Sequence, residues 1–237
     1  MLIAVLNQST LVTNDQVATM TRAIAHQVKL DAAPLWDRTP AAVIYYSAAA
    51  DLPPNAHVIT VVDTIQNQPQ GVLGFHTEDK GGRLWGVVAA KPEIDADAEI
   101  LTGDWSVSSV LSHEVLELFI DPNCNLWATN DQGKVYSFEV CDPVEAPTYT
   151  VDSVAVSNFV TPAWFDPLSE QKGTTQFDKL GLLTESFSIL KGGYAVYAAE
   201  GAEHQVFGEQ FPPWRKHMKT GTMSRTTLRK EQASSLE

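Results

Sequence analysis

A chain of 237 residues with 44% hydrophobic composition can bury a sizeable core without staples, as one large domain or a domain with an appendage. Its formal charge of −13 is uneven: residues 212–237 hold six Lys/Arg against two Glu, or +4, leaving ten basic and 27 acidic residues in 1–211, or −17. Such a body repels nucleic acid; no stretch reaches the roughly 20 apolar residues of a membrane span, and MLIAVLNQSTLVTNDQ lacks the basic and apolar regions of a signal peptide.

Leu2 to Leu6 is an apolar run that fits a buried strand. Asn14 follows as an N-cap for a helix over 15–30, with Val17, Met20, Ile24 and Val28 at helical spacing. AAVIYYSA at 41–48 and HVITVVDT at 57–64 read as interior strands. GVLGFHTE at 71–78 and RLWGVVAA at 83–90 read as a hairpin turning at Asp79-Lys80-Gly81-Gly82. After an acidic connection, Asp104 caps a helix over VSSVLSHEVLELFID at 107–121, and Pro122 stops it. KVYSFEVC at 134–141 is an amphipathic strand with Glu139 and Cys141 on one face, running into the acidic turn Asp142-Pro143-Val144-Glu145. A strand at 150–160, an aromatic loop at 161–167 and a hairpin at 186–198 turning at Gly192-Gly193 complete the body. From Pro212 the apolar periodicity fades, so 1–211 is one domain and 212–237 a basic tail or an arm that docks on partner subunits. Cys124 and Cys141 match no CxxC pattern and read as free thiols.

The helix over 107–121 carries the chemistry. His113, Glu117 and Asp121 recur at i+4 and share one narrow sector, while Val107, Leu111, Val115, Leu118 and Phe119 cover the other side. A buried imidazole among carboxylates must be hydrogen-bonded, charged or metal-bound, because leaving it bare costs several kcal/mol, roughly. At i and i+4, His113 and Glu117 stand about 6 Å apart on one face and can share one ion. Glu114 then points beside that ion, where a carboxylate acts as general base on a metal-bound water. The alternative is a salt-bridged structural histidine. A third ligand belongs to the next strand end, with Glu139 and Asp142 as candidates and Glu145 a further one; Asp121 lies about 12 Å along the axis from His113 and is better suited to support.

SHEVLELFIDP, followed by FEVCDPVE and VSNFVTPAWFDP, resembles a zincin-like group found in bacteriophage and bacterial genomes, over roughly residues 40–167. The resemblance implies a zincin-type α+β fold, with a mixed sheet packed on an N-terminal helix and a buried metal-site helix. It also implies zinc or another divalent metal, a peptide or protein substrate lying along the RLWGVVAA hairpin, and a cytoplasmic or virion location. Glu117 stands where peptidases of this fold have a second histidine, giving HExxE; an anionic ligand lowers the Lewis acidity of the ion. Three functions follow: a zinc peptidase with Glu114 as base, a catalytically weak or inactive zincin scaffold serving as a structural or interaction protein, or a small-molecule hydrolase or deamidase using the same metal-bound water. No phosphate-binding glycine loop or GxSxG elbow is present. Among the other histidines, His26, His57, His204 and His217 read as bystanders, and His76 as at most a border of the cleft.

Overall fold

The computed structural model of the chain describes residues 1–66, 72–78, 82–169 and 175–210. Strands β1 (Leu2–Asn7), β2 (Ala42–Tyr46), β3 (His57–Val62), β4 (Gly74–Glu78) and β5 (Leu84–Ala89) form one sheet in the order β2-β1-β3-β5-β4. The first three and β5 are parallel, and β4 returns antiparallel beside β5. Parallel neighbours need a crossover, and α1 (Asn14–Gln27) supplies it between β1 and β2. The interior strand β1 buries Ile3, Ala4 and Val5 completely, as its unbroken apolar run requires.

Helix α1 is capped one residue earlier than expected: the Thr13 hydroxyl accepts the Gln16 N–H, and Gln16 reaches back to the Thr13 N–H at 2.8 Å. It continues through a π turn, Val28–Ala32, into the short α2 (Ala33–Leu35). The wider turn falls where the Pro34 ring would crowd the preceding carbonyls. Asp63 at the end of β3 holds the loop after β1, accepting from the Ser9 hydroxyl at 2.5 Å and the Thr10 N–H at 2.8 Å.

After the short α3 (Lys91–Asp95) comes α4 (Val107–Ile120), all fourteen of whose residues are buried. Its cap is Ser106 and not Asp104: Trp105 takes a left-handed φ of 63°, which moves the first helical turn past Asp104. Asp104 instead accepts the Thr148 N–H and hydroxyl. Each fully buried Val, Leu or Phe on α4 contributes roughly 1.5–3 kcal/mol. The polar residues on the same helix are matched individually. Ser108 donates to the Ala155 carbonyl at 2.7 Å; Ser112 donates to Gln27 Oε1 at 2.7 Å and accepts the Ser157 N–H at 3.0 Å. Gln27 returns to the Ser157 carbonyl at 2.8 Å, closing a buried ring between α1, α4 and the strand that carries Ser157. Ser112→Ala strands both Gln27 Oε1 and the Ser157 N–H, so chemical denaturation should register a loss of about 1–3 kcal/mol; an unchanged midpoint would show the ring to be energetically idle.

A second, antiparallel sheet is built from β6 (Trp127–Thr129), β7 (Val135–Ser137), β10 (Tyr194–Ala199) and β11 (Ala202–Phe207), in the order β11-β10-β7-β6. The hairpin of β8 (Thr148–Val151) and β9 (Val154–Ser157) packs β9 against α4 and α1. One hydrophobic cluster links both sheets, from Ile3 to Ala195. The chain is thus a mixed α+β protein with several sheets and few helices.

Three strand expectations change. The 134–141 strand is regular only to Ser137, and the chain leaves the sheet before the 3-10 turn Asp142–Val144. The expected 150–160 strand is broken by a hairpin turn at Asp152-Ser153, both with positive φ, which separates β8 from β9. The late hairpin turns at Glu200-Gly201, not Gly192-Gly193. Gly193 serves close packing instead, since a Cβ there would lie 2.4 Å from the Pro143 carbonyl oxygen. Strands β4 and β5 pair as the expected hairpin, although 79–81 of its turn lies outside the described residues. So does the 212–237 arm. Among the described residues no helix is long and apolar enough to cross a membrane.

Candidate metal centre

The i+4 spacing on α4 sets His113 Nε2 3.2 Å from Glu117 Oε1. The 3-10 turn after β7 brings Asp142 Oδ1 to 3.2 Å from the same nitrogen. One donor atom from each of His113, Glu117 and Asp142 lies within 4.8 Å of the others, and all three residues are buried. The Cys141 N–H also donates to Glu117 Oε1 at 3.3 Å, fixing that carboxylate from the far side.

The candidates for the third ligand separate. Asp142 joins His113 and Glu117, whereas Glu139 joins a second group made by His76 and Glu117. Glu145 lines the neighbouring cleft together with His113, Glu114, Ser109 and Tyr194. Asp121 stays apart: its carboxylate accepts the N–H groups of Asn125 and Leu126 at 3.2 and 2.9 Å and shapes the loop that follows α4.

His76 is the residue that sequence reasoning undervalued. It is 2% exposed on β4, with Nδ1 3.1 Å from Glu114 Oε2 and 3.9 Å from Glu117 Oε2. The usable signal was the period-two placement of Gly74 on the same face of the strand. A Cβ at Gly74 would lie 2.8 Å from Glu114 Oε1, so a larger residue there would push that carboxylate from its place beside His76. The strand order also corrects the expected substrate strand: β5 is internal, and β4 is the last strand of the sheet, with Leu73 and Gly74 lining the cleft.

Charge decides what this arrangement can hold. Burial alone lowers the pKa of His113, yet the Glu117 carboxylate, Cys141 and the bond to Asp142 together hold it well above its ordinary value. Burial, reinforced by the charges of Asp142 and Glu139, pushes Glu117 up to about 8 against the opposing pull of His113. The metal-free cluster therefore retains protons at neutral pH that free side chains would release. A divalent cation fits the donor set, because one imidazole and two carboxylates converge on one point and a dication replaces the retained protons.

Those shifts give the metal-free protein a pH dependence of definite sign. Both groups bind protons more tightly folded than unfolded, so stability is fully present at low pH and falls as pH rises. For Glu117 the fall runs from about 4.5, its ordinary value, to about 8; for His113 it starts near 6.5 and extends upward. The slope reaches about 1.4 kcal/mol per pH unit for each proton. Thermal melts of chelator-treated protein should decline between pH 5 and 8, and Glu117→Gln should flatten that decline. A parent whose melting temperature climbs over the same interval contradicts the assignment.

Cys124 and Cys141 are not disulfide-bonded. Comparisons with protein-family models, with curated proteins and with solved structures each return no match.

Proposed function

We propose that this chain is a zincin-like, metal-dependent peptidase in which His113, Glu117 and Asp142 hold one divalent ion, zinc first among them. The observation that carries this reading is the convergence of both carboxylates at 3.2 Å on a single buried imidazole nitrogen beside a cleft. When bound, the ion supplies Lewis-acid polarisation of a water and of a substrate carbonyl. Glu114 follows His113 in sequence and lines the cleft, where its carboxylate can take a proton and pass it to a leaving amine. His76 orients that carboxylate through its 3.1 Å contact. The terminal strand β4 offers its edge to an extended peptide, which favours a peptide or protein substrate. By the same resemblance, such a protein would act in the cytoplasm or in a phage particle.

Glu114→Gln is the direct test. It should leave the ion held by His113, Glu117 and Asp142 in place while lowering turnover of a peptide library by about 10²–10⁴-fold, the usual weight of a general base. Equal turnover removes Glu114 from the mechanism.

One observation favours the second reading, a zincin scaffold without catalysis such as a virion component. Glu117, the anionic replacement for a second histidine, is completely buried and faces two imidazoles, which lowers the Lewis acidity of any ion it holds. Metal-loaded protein inert to the whole library would select that reading.

A further inference from the structure

We infer that the centre is binuclear, with a second divalent-metal site formed by His76, Glu117 and Glu139 and with Glu117 as the bridging carboxylate. The inference rests on the metal-binding part of the reading above. Its first support is geometric: one donor atom from each of His76, Glu117 and Glu139 lies within 4.8 Å of the others, and all three residues are buried. Glu117 belongs to both triads and divides its oxygens between them. Oε1 lies 3.2 Å from His113 Nε2, and Oε2 lies 3.9 Å from His76 Nδ1. A carboxylate whose two oxygens face two imidazoles can bridge two ions, and two-metal centres hold their ions roughly 3.5–4 Å apart.

The second support is charge. His76, His113, Glu114, Glu117, Glu139 and Asp142 are each less than a tenth exposed. With all four carboxylates ionised, these six side chains carry −2 even when both imidazoles are protonated. One dication with neutral imidazoles leaves the same −2, whereas two dications with neutral imidazoles bring the set to zero. Burying uncompensated charge costs several kcal/mol per ion, roughly, so the doubly loaded state is the balanced one.

The third support is His76 itself. Its buried Nδ1, the nitrogen that faces Glu117 Oε2 at 3.9 Å, also lies 3.1 Å from Glu114 Oε2, so one imidazole donor stands between two carboxylates of α4. In the doubly loaded protein Glu114 thus lies against the second site, and the acidic residues 139–142 serve two ions in sequence: Glu139 one, Asp142 the other.

Zinc titration of the full-length, chelator-treated chain, read by competition with a chromophoric chelator, tests this without any activity assay. The parent should bind two equivalents. His76→Ala and Glu139→Gln should each retain one equivalent, and His113→Ala should lose the other. Should His76→Ala fail to fold, Glu139→Gln carries the test, and cobalt(II)-loaded parent protein gives a second readout: an EPR signal weakened by coupling at two equivalents supports the bridge, and an additive signal overturns it. A parent that binds one equivalent, lost in His113→Ala and kept in Glu139→Gln, overturns the second site and leaves the first standing. A parent that binds none overturns both.

Discussion

His113→Ala should weaken zinc binding at the His113, Glu117 and Asp142 site by more than about a hundredfold. Removing even the outer partner of a ligating histidine costs roughly 10–100-fold, and the ligand itself supplies one of only three protein donors. The same change should destabilise the metal-free protein. It removes the imidazole between Glu117 and Asp142, each 3.2 Å from it, and leaves two buried carboxylates to face one another. Breaking a buried pair in this way costs roughly 3–5 kcal/mol, so the variant needs circular dichroism beside the titration to establish that it is folded. Parental zinc affinity in a folded variant would mean that the metal binds elsewhere.

How much of this centre was legible depended on whether its geometry is local. His113, Glu114 and Glu117 lie within one helical turn or so, and their spacing alone fixes their relation. The strand β1, the crossover α1 and the burial of α4 followed from apolar runs and periodicity in the same way. Asp142 and Glu139 did not separate in the sequence, because which of them faces His113 depends on the chain leaving the second sheet after Ser137 and turning at Asp142–Val144. His76 was obscured for a related reason. Its neighbours on α4 are 38 and 41 residues away in sequence, and the contact exists only because β4 takes the outer position beside β5 and Gly74 admits Glu114. Strand order is a tertiary property that a local pattern does not carry. The helix cap failed on one backbone angle, the left-handed Trp105, which no composition rule reveals.

The aromatic loop gives the second large effect. Trp164 is completely buried between Tyr136, Phe165 and Phe187, and its indole N–H donates to the Ser188 carbonyl at 2.7 Å. It is a core residue and does not line the described cleft. Trp164→Ala opens a cavity where the second sheet meets the loop and strands the Ser188 carbonyl. Together these should cost about 3–5 kcal/mol, a large share of the 5–15 kcal/mol, roughly, that holds a domain folded. Urea denaturation measures it directly; a loss below about 1 kcal/mol would place this loop outside the cooperative core. Trp36 joins the same assembly through Phe138 and Phe165, so the cluster ties the end of α2 to the segment that leads into Asp142. Loosening it should therefore weaken zinc binding as well as stability.

The function proposed for this chain depends on His113, Glu117 and Asp142 holding a divalent ion. Elemental analysis of the natively purified protein, paired with Asp142→Asn, addresses it most directly. The account predicts at least one equivalent of zinc or a comparable divalent metal per chain, removed by chelation, restored by dialysis against zinc, and diminished in the variant. Native protein that carries no metal and takes up none on dialysis would contradict it.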